Sequence, residues 1–398
     1  MKILVVRQGN PFISSNASNN RFLTLVEGLV EQDCCIYILF LNGFLSKSER
    51  LEFKTSGTVG KINYEYLIPI NLSNFIKRQL FNRIVTTTYM HGKINKILKN
   101  NIYDFVWLDT GANVVKVGIK LFKSNPNIKY FHERSEYSWI APTNKDLHEK
   151  YLKNFLPKIS ILALMTHTLI DYYKEFVGKK TKIIHVPMTV DFSRFTNFNE
   201  QLPCKKPYIA YCGGMFNIKD GVSILIKSFI NIMNEFPDLS LYLAGPCIPL
   251  EDYKMQQRII KEASAEERII YLGIIDRDLI PSFLYNANVL ALARPASKQA
   301  EGGFPTKLGE YLATGKPVCV TKVGEIEHYL EDRVSAFLAE PGSISSFANS
   351  LKAALTDNKS KEIGLLGKEV AYKHFDKIKQ TEKLYKYLDE GFYIDNYF

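Results

Sequence analysis

Apolar residues recur along this chain in short runs, separated by longer stretches in which they return every third or fourth position. In the first half the runs fall at positions 3–6, 35–41, 105–108, 129–132, 161–165 and 182–186. Short apolar runs alternating with helical patterns predict parallel strands covered by helices. The rhythm lapses around 190–206, where Asp191, Phe192, Ser193, Arg194 and Phe195 give way to polar residues and Pro203, and it resumes with runs at 208–212, 239–244, 269–272, 289–292, 317–320 and 335–338. Helical periodicity fills the gaps at 222–235, 253–265, 343–355 and 363–374. The pattern predicts an α/β protein of two Rossmann-like parallel-sheet domains, residues 1–195 and 205–376. An amphipathic stretch at 378–388 lies beyond the last strand, and the segment 377–398 is expected to cross back onto the first domain. Ligands of open α/β sheets lie beyond the carboxyl ends of the strands, so two facing domains are expected to bind theirs in a cleft.

Composition narrows the class. The 398 residues, 46% hydrophobic and 23% charged, suit an ordered globular protein of ordinary domain size. The start, Met1 to Val6, turns polar too soon for a signal peptide, and no apolar run reaches the roughly 18 to 20 residues of a membrane span; a cytoplasmic protein is expected. Cysteines at 34, 35, 204, 212, 247 and 319 have neither Cys-x-x-Cys nor zinc spacing and read as reduced thiols. The net charge of +10 calls for an acidic partner. No Asp or Glu occurs in 71–101, where Lys77, Arg78, Arg83, Lys93, Lys96 and Lys99 alternate with Ile76, Leu80, Ile84, Ile94, Ile97 and Leu98. This basic amphipathic segment fits either peripheral contact with an anionic membrane or a solvated face on a core-packed helix.

The candidate chemistry centres on 301–317. Gly302 and Gly303 permit close backbone approach, Pro305 suits a first helical position, and Gly315 with Pro317 marks a helix end. A helix starting near Thr306 would turn its free N–H groups toward a phosphate. One turn on, Glu310 can accept two hydrogen bonds from a ribose diol. A nucleotide is the ligand that unites these features. A second strand, glycine loop and helix follows position 212: Gly213 and Gly214 would admit a diphosphate and Lys219 would supply a cation, the alternative being a tight connection with an exposed lysine. Neither Gly-x-Gly-x-x-Gly after Val6 nor a Walker pattern is present, which argues against dinucleotide oxidoreductases and nucleoside triphosphate hydrolysis.

Further ionisable groups lie near predicted strand ends and in the first turn of the helix from Thr306. His132 can bond a sugar hydroxyl or be structurally paired, and Glu133 and Glu136 can orient an acceptor or form a surface cluster with Arg134. Arg294 offers a guanidinium fork to phosphate or makes an ordinary salt bridge. Lys307, in the first helical turn, opposes the helix dipole unless an anion is bound.

Three segments, Gly303 to Val318, Lys219-Asp220-Gly221 and Val186 to Phe195, resemble the retaining glycosyltransferases of family 4, group 1 enzymes of the GT-B fold. The resemblance spans nearly the whole chain. It implies a nucleotide-sugar donor on the second domain, a glycan or lipid-linked glycan acceptor on the first, and transfer with neither cofactor nor metal. By the same resemblance Glu310 contacts ribose, the amides of Thr306 and Lys307 approach the diphosphate along the Gly303-Phe304-Pro305 loop, Lys219 neutralises the diphosphate, and His132 lies on the acceptor side. Two departures stand out: Glu301 is one place out of register with the usual paired glutamates, and Gly214 occupies the place of a common Arg, whose charge Arg294 would replace. The implied role is sugar transfer to a growing glycan in cell-surface polysaccharide or lipopolysaccharide synthesis. A nucleotide-sugar epimerase and a non-catalytic nucleotide- or nucleic-acid-binding protein are the alternatives, and the lack of a nucleic-acid motif counts against the last.

Overall fold

The computed structural model describes residues 1–13, 16–71, 74, 87–138, 144–196, 204–205 and 207–389. They form two compact units, one of residues 1–186 and 380–398 and one of residues 187–379.

The first unit is built on an eight-stranded sheet of order β3-β4-β2-β1-β5-β6-β7-β8. Its strands are β1 (Lys2–Arg7), β2 (Cys35–Phe40), β3 (Ser56–Val59), β4 (Ile62–Tyr66), β5 (Phe105–Leu108), β6 (Lys129–Arg134), β7 (Ile161–Leu164) and β8 (Lys182–His185). All neighbours are parallel except β3 and β4, which pair antiparallel. The apolar runs become central strands because both of their faces are covered: Leu4, Val5, Val6, Val106 and Leu162 have no exposed surface. The sequence reading missed β3 and β4. In β4 only Ile62, Tyr64 and Tyr66 turn inward, alternating with Asn63 and Glu65, and β3 is a mostly exposed edge strand. Such half-polar alternation lacks the continuous apolar run of a buried parallel strand.

The second unit holds a six-stranded, all-parallel sheet of order β11-β10-β9-β12-β13-β14. The strands are β9 (Tyr208–Cys212), β10 (Ser240–Ala244), β11 (Ile269–Gly273), β12 (Val289–Leu292), β13 (Val318–Thr321) and β14 (Phe337–Ala339). Strand order reverses between β9 and β12, where the connections leaving the carboxyl ends diverge and open a crevice for a ligand. The helix Val222–Ile232, after β9, buries Leu225, Ile226, Phe229 and Ile232, a stripe of spacing three and four.

The boundary lies earlier than the lapse in periodicity suggests. Val190 pairs with Asp376, and its N–H donates to the Phe375 carbonyl at 2.7 Å, so the lead-in segment belongs to the second unit. The last helix, Lys377–Asp389, joins the first unit from Gln380 onward. There Leu384 and Leu388 enter the core with Val26, Leu29 and Ile36. Thr381 fills the space over Gly28, where an added Cβ would stand 2.4 Å from the Thr381 hydroxyl.

In the basic segment, Lys93, Lys96 and Lys99 are exposed on the helix Thr87–Asn100, while Met90 and Ile94 are buried. Lys77, Arg78 and Arg83 lie outside the described residues. No described helix is long and apolar enough to cross a membrane.

Candidate nucleotide site of the second unit

β9 delivers the chain at Cys212 into Gly213, Gly214, Met215 and Phe216, then into a single helical turn, Asn217–Asp220. Gly221 ends that turn in the left-handed region at φ +67, and a Cβ there would stand 1.8 Å from the carbonyl oxygen of Ala293. Only glycine tolerates both conditions. The loop after β9 is therefore laid against the segment after β12, at the point where strand order reverses.

Arg294 follows Ala293 and is buried. Its Nε donates to the Lys219 carbonyl at 3.2 Å and its Nη1 to the Gly303 carbonyl at 3.4 Å. The guanidinium thus staples the Lys219 turn to the Gly303 loop. These two hydrogen bonds give Arg294 a positioning role that the sequence did not reveal. Lys219, on the turn so held, is partly exposed.

The helix expected from Thr306 spans Thr306–Ala313, and Gly315 ends it at φ +74. Two details differ from expectation. Pro305 is the capping residue rather than the first helical one, with φ −73 and ψ 110. Glu301 and Gly302 belong to a separate short helix, Lys298–Gly302, because Ser297 caps it through a 3.1 Å bond from the Ala300 N–H. Glu301 is exposed and shares no helix with Glu310. Phe304 turns inward against Tyr329 and Phe375, at ring-centre distances of 5.5 and 5.2 Å. Its backbone, not its ring, is left for a ligand. Pro305 makes no side-chain cap, so the first amides of Thr306–Ala313 keep the unsatisfied donors and positive dipole end that attract an anion.

Lys307 has a partner that the sequence reading missed. Its Nζ lies 2.6 Å from Asp220 Oδ2, with side-chain exposures of 19% and 4%. The Tyr211 hydroxyl donates to the Gly214 carbonyl at 2.6 Å and lies 3.2 Å from Asp220 Oδ2, framing the pair. Burial lowers the Lys307 pKa; Asp220 opposes the shift, while nearby Arg294 and Lys219 reinforce it. A Cβ on Gly213 would stand 2.6 Å from Lys307 Cε, so this glycine makes room for the lysine stem. At Gly214 a Cβ would meet the Phe216 ring at 2.5 Å.

Glu310 sits one turn along with its Oε1 held by Arg194 Nη1 at 2.8 Å, and Arg194 also donates to the Arg277 carbonyl at 3.0 Å. The carboxylate is 24% exposed. One of the two oxygens assigned to a diol is therefore already engaged. Next to Glu310, the buried Tyr311 hydroxyl accepts from the Cys212 N–H at 2.7 Å and fixes the helix to the end of β9. Burial, with Glu310 adding to it, pushes the Cys212 thiol up to about 12, so it stays protonated.

The acceptor-side candidates are internal. His132 is 1% exposed; its Nδ1 lies 2.5 Å from the Leu108 carbonyl and its Nε2 3.0 Å from the Tyr151 hydroxyl. Burial, reinforced by Arg134, lowers its pKa to about 3, so the ring is neutral, with Nδ1–H donating to the carbonyl and Nε2 accepting from tyrosine. With both nitrogens occupied, His132 is a core histidine and not a sugar contact. Glu133 is likewise withdrawn: its Oε1 meets Arg21 Nε at 3.1 Å, both side chains nearly sealed from solvent, and burial raises its pKa. Glu136 offers its carbonyl to Arg134 and Tyr173.

Residues 193–364 match the family model for glycosyl transferases group 1. No curated protein sequence matches the chain. Among solved structures, sucrose-phosphate synthase from Thermosynechococcus elongatus is similar with TM-score 0.75 at 17% identity, over 98% of this chain and 100% of that one. Anabaena HepE, solved with UDP-glucose, has TM-score 0.71 at 15% identity over 98% and 100%. A glycosyltransferase from Rickettsia africae has TM-score 0.72 at 17% identity over 98% of each chain. At these identities the likeness establishes the fold, the GT-B arrangement of two α/β sheets.

Proposed function

We propose that this chain, whose residues 193–364 match the family model for glycosyl transferases group 1, moves a sugar from a nucleoside-diphosphate donor to a hydroxyl of a growing cell-surface glycan, retaining the anomeric configuration. The observation that carries this reading is the convergence of the Lys219 turn, the Gly213 loop and the uncapped start of Thr306–Ala313 at the strand-order reversal of the second sheet. As the bond between sugar and phosphate breaks, negative charge grows on the departing diphosphate. Donors already fixed in place stabilise that charge more than they stabilise the bound donor, and so speed the step. Lys219 supplies the cation, the amides of Thr306 and Lys307 supply N–H groups, and Glu310, oriented by Arg194, bonds a ribose hydroxyl. The reading assigns no step to a metal. The acceptor belongs to the first unit. There Lys93, Lys96 and Lys99 on Thr87–Asn100, beside exposed Lys116 and Lys123 on the helix Ala112–Ser124, fit an anionic membrane carrying a lipid-linked glycan.

A thermal-shift screen of UDP, GDP and ADP identifies the base. With the matching sugar donors, Lys219→Ala is expected to lower turnover at least a hundredfold, in line with the roughly 3 kcal/mol lost with one transition-state donor elsewhere. NMR of the product should show the donor's configuration, and a chelator should leave the rate unchanged. Nucleotide binding with near-normal turnover in Lys219→Ala would defeat the mechanism.

A further inference from the structure

Three arginines and two carboxylates meet at the carboxyl edge of the first sheet. Arg7, closing β1, pairs with Asp109, just beyond β5, and also donates to Asn19 Oδ1 at 2.6 Å. Arg21 pairs with Glu133 and donates to the Val186 carbonyl at 2.6 Å. Both pairs are buried, and each arginine has its own carboxylate. Arg134, the last residue of β6, does not. Among the described residues no carboxylate lies within ion-pair distance of it. Its Nε donates to the Tyr173 hydroxyl at 3.3 Å and its Nη2 to the Glu136 carbonyl at 3.3 Å, two neutral acceptors. Tyr151 places its ring centre 5.8 Å from the guanidinium carbon. The remaining nitrogen, Nη1, has no partner among the described residues, and the residue keeps part of its surface exposed.

A guanidinium cannot shed its proton. Keeping one among buried tyrosines is costly, because its charge is drawn out of water and Glu133 and Asp109 act on it only from beyond ion-pair distance. Asp109 and Glu133, the nearby carboxylates, are committed to Arg7 and Arg21. The neutral contacts hold Nε and Nη2 and leave Nη1 as the donor with which the fork can take an oxyanion. Around it Tyr172 packs on Tyr173 and Tyr137, each at a ring-centre distance of 4.9 Å, giving flat walls with hydroxyl tips that suit a sugar ring.

We propose that Arg134 is an anion-recognition site of the first unit, and that it binds a phosphoryl or carboxylate group on the sugar acceptor. Calling the ligand an acceptor rests on the glycosyltransferase reading. The anion site itself stands on the first unit alone.

Calorimetric titration of the full chain with glucose 6-phosphate and with glucuronate tests both sources of the anion, with UDP as the control. Arg134→Met is expected to weaken whichever anion binds by tenfold or more, Arg134→Lys by less, and UDP binding should change by under twofold in both. If neither anion binds the unsubstituted protein, or if Arg134→Met binds it equally well, the site does not exist. Should the variants not fold, phenylglyoxal labelling of the unsubstituted protein followed by mass spectrometry gives the answer: Arg134 must be labelled and the anion must protect it, and failure of either overturns the proposal. Anion binding that depends on Arg134 in a chain that binds no nucleotide would leave the site standing and remove the donor reading.

Discussion

Asp220→Asn isolates the balance of charge beneath the candidate diphosphate loops. In the unsubstituted cluster Asp220 Oδ2 lies 2.6 Å from the Lys307 ammonium, and Arg294 and Lys219 are near enough to act on that lysine. Removing one partner of a buried pair typically costs about 3–5 kcal/mol, because the other charge stays buried and uncompensated. Lys307 keeps 19% of its side chain exposed, so solvent screens part of the loss and about 2–3 kcal/mol is expected. For a unit of about 190 residues this lowers the melting temperature by roughly 4–12 °C, at about 2–4 °C per kcal/mol. Both tryptophans, Trp107 and Trp139, belong to residues 1–186, so their fluorescence does not follow the second unit. Scanning calorimetry does. The sign reverses once nucleotide is added: the cluster is one positive charge richer, so UDP or the nucleotide found by screening should raise the variant's melting temperature by more than it raises the parent's. An unchanged melting temperature without nucleotide, or a smaller nucleotide-induced rise, would refute the idea that Asp220 restrains Lys307 at an anion site.

Gly213→Ala should disturb the same cluster by shape alone. The added Cβ would stand 2.6 Å from Lys307 Cε and 2.7 Å from the Tyr211 hydroxyl, an overpacking that costs about 1–3 kcal/mol; nucleotide affinity should fall about tenfold in a titration, and an unaltered affinity contradicts the packing account. His132 predicts a pH dependence. Its folded pKa of about 3 lies below the ordinary value near 6.5, so between those values the unfolded chain binds the proton first. Its contribution is full above about pH 6.5 and drains away as pH falls toward 3; urea unfolding across that window should give a slope shallower by close to one proton in His132→Gln, and equal slopes would refute it.

Periodicity exposed the central strands of both sheets because their two faces are buried, so that pattern and environment coincide at Val5, Leu162 or Leu290. The helix from Thr306 was legible for a similar reason: a proline at its start and a glycine at its end carry backbone geometry in their identity. Side-chain partners were not. Asp220 lies 87 positions before Lys307, and Arg194 lies 116 before Glu310, so only the folded sheet brings each pair together. His132 misled because a histidine at a strand end reads alike whether it faces solvent or core; the Leu108 carbonyl and the Tyr151 hydroxyl decide the matter, and both are remote in sequence.

The return of the chain at Gln380 makes the first unit discontinuous, and that has consequences for dissecting the protein. Residues 187–379 form one uninterrupted insert, whose second junction falls inside the helix Lys377–Asp389. Residues 1–186 cannot simply be cut out: without the last helix they would present bare the apolar surface that Leu384 and Leu388 cover, and the space above Gly28 would lose Thr381. A fragment of the first unit fit for separate study must carry residues 380–389 on a short artificial linker after Val186, or receive that helix as an added peptide, whose binding would itself report that the sheet had formed.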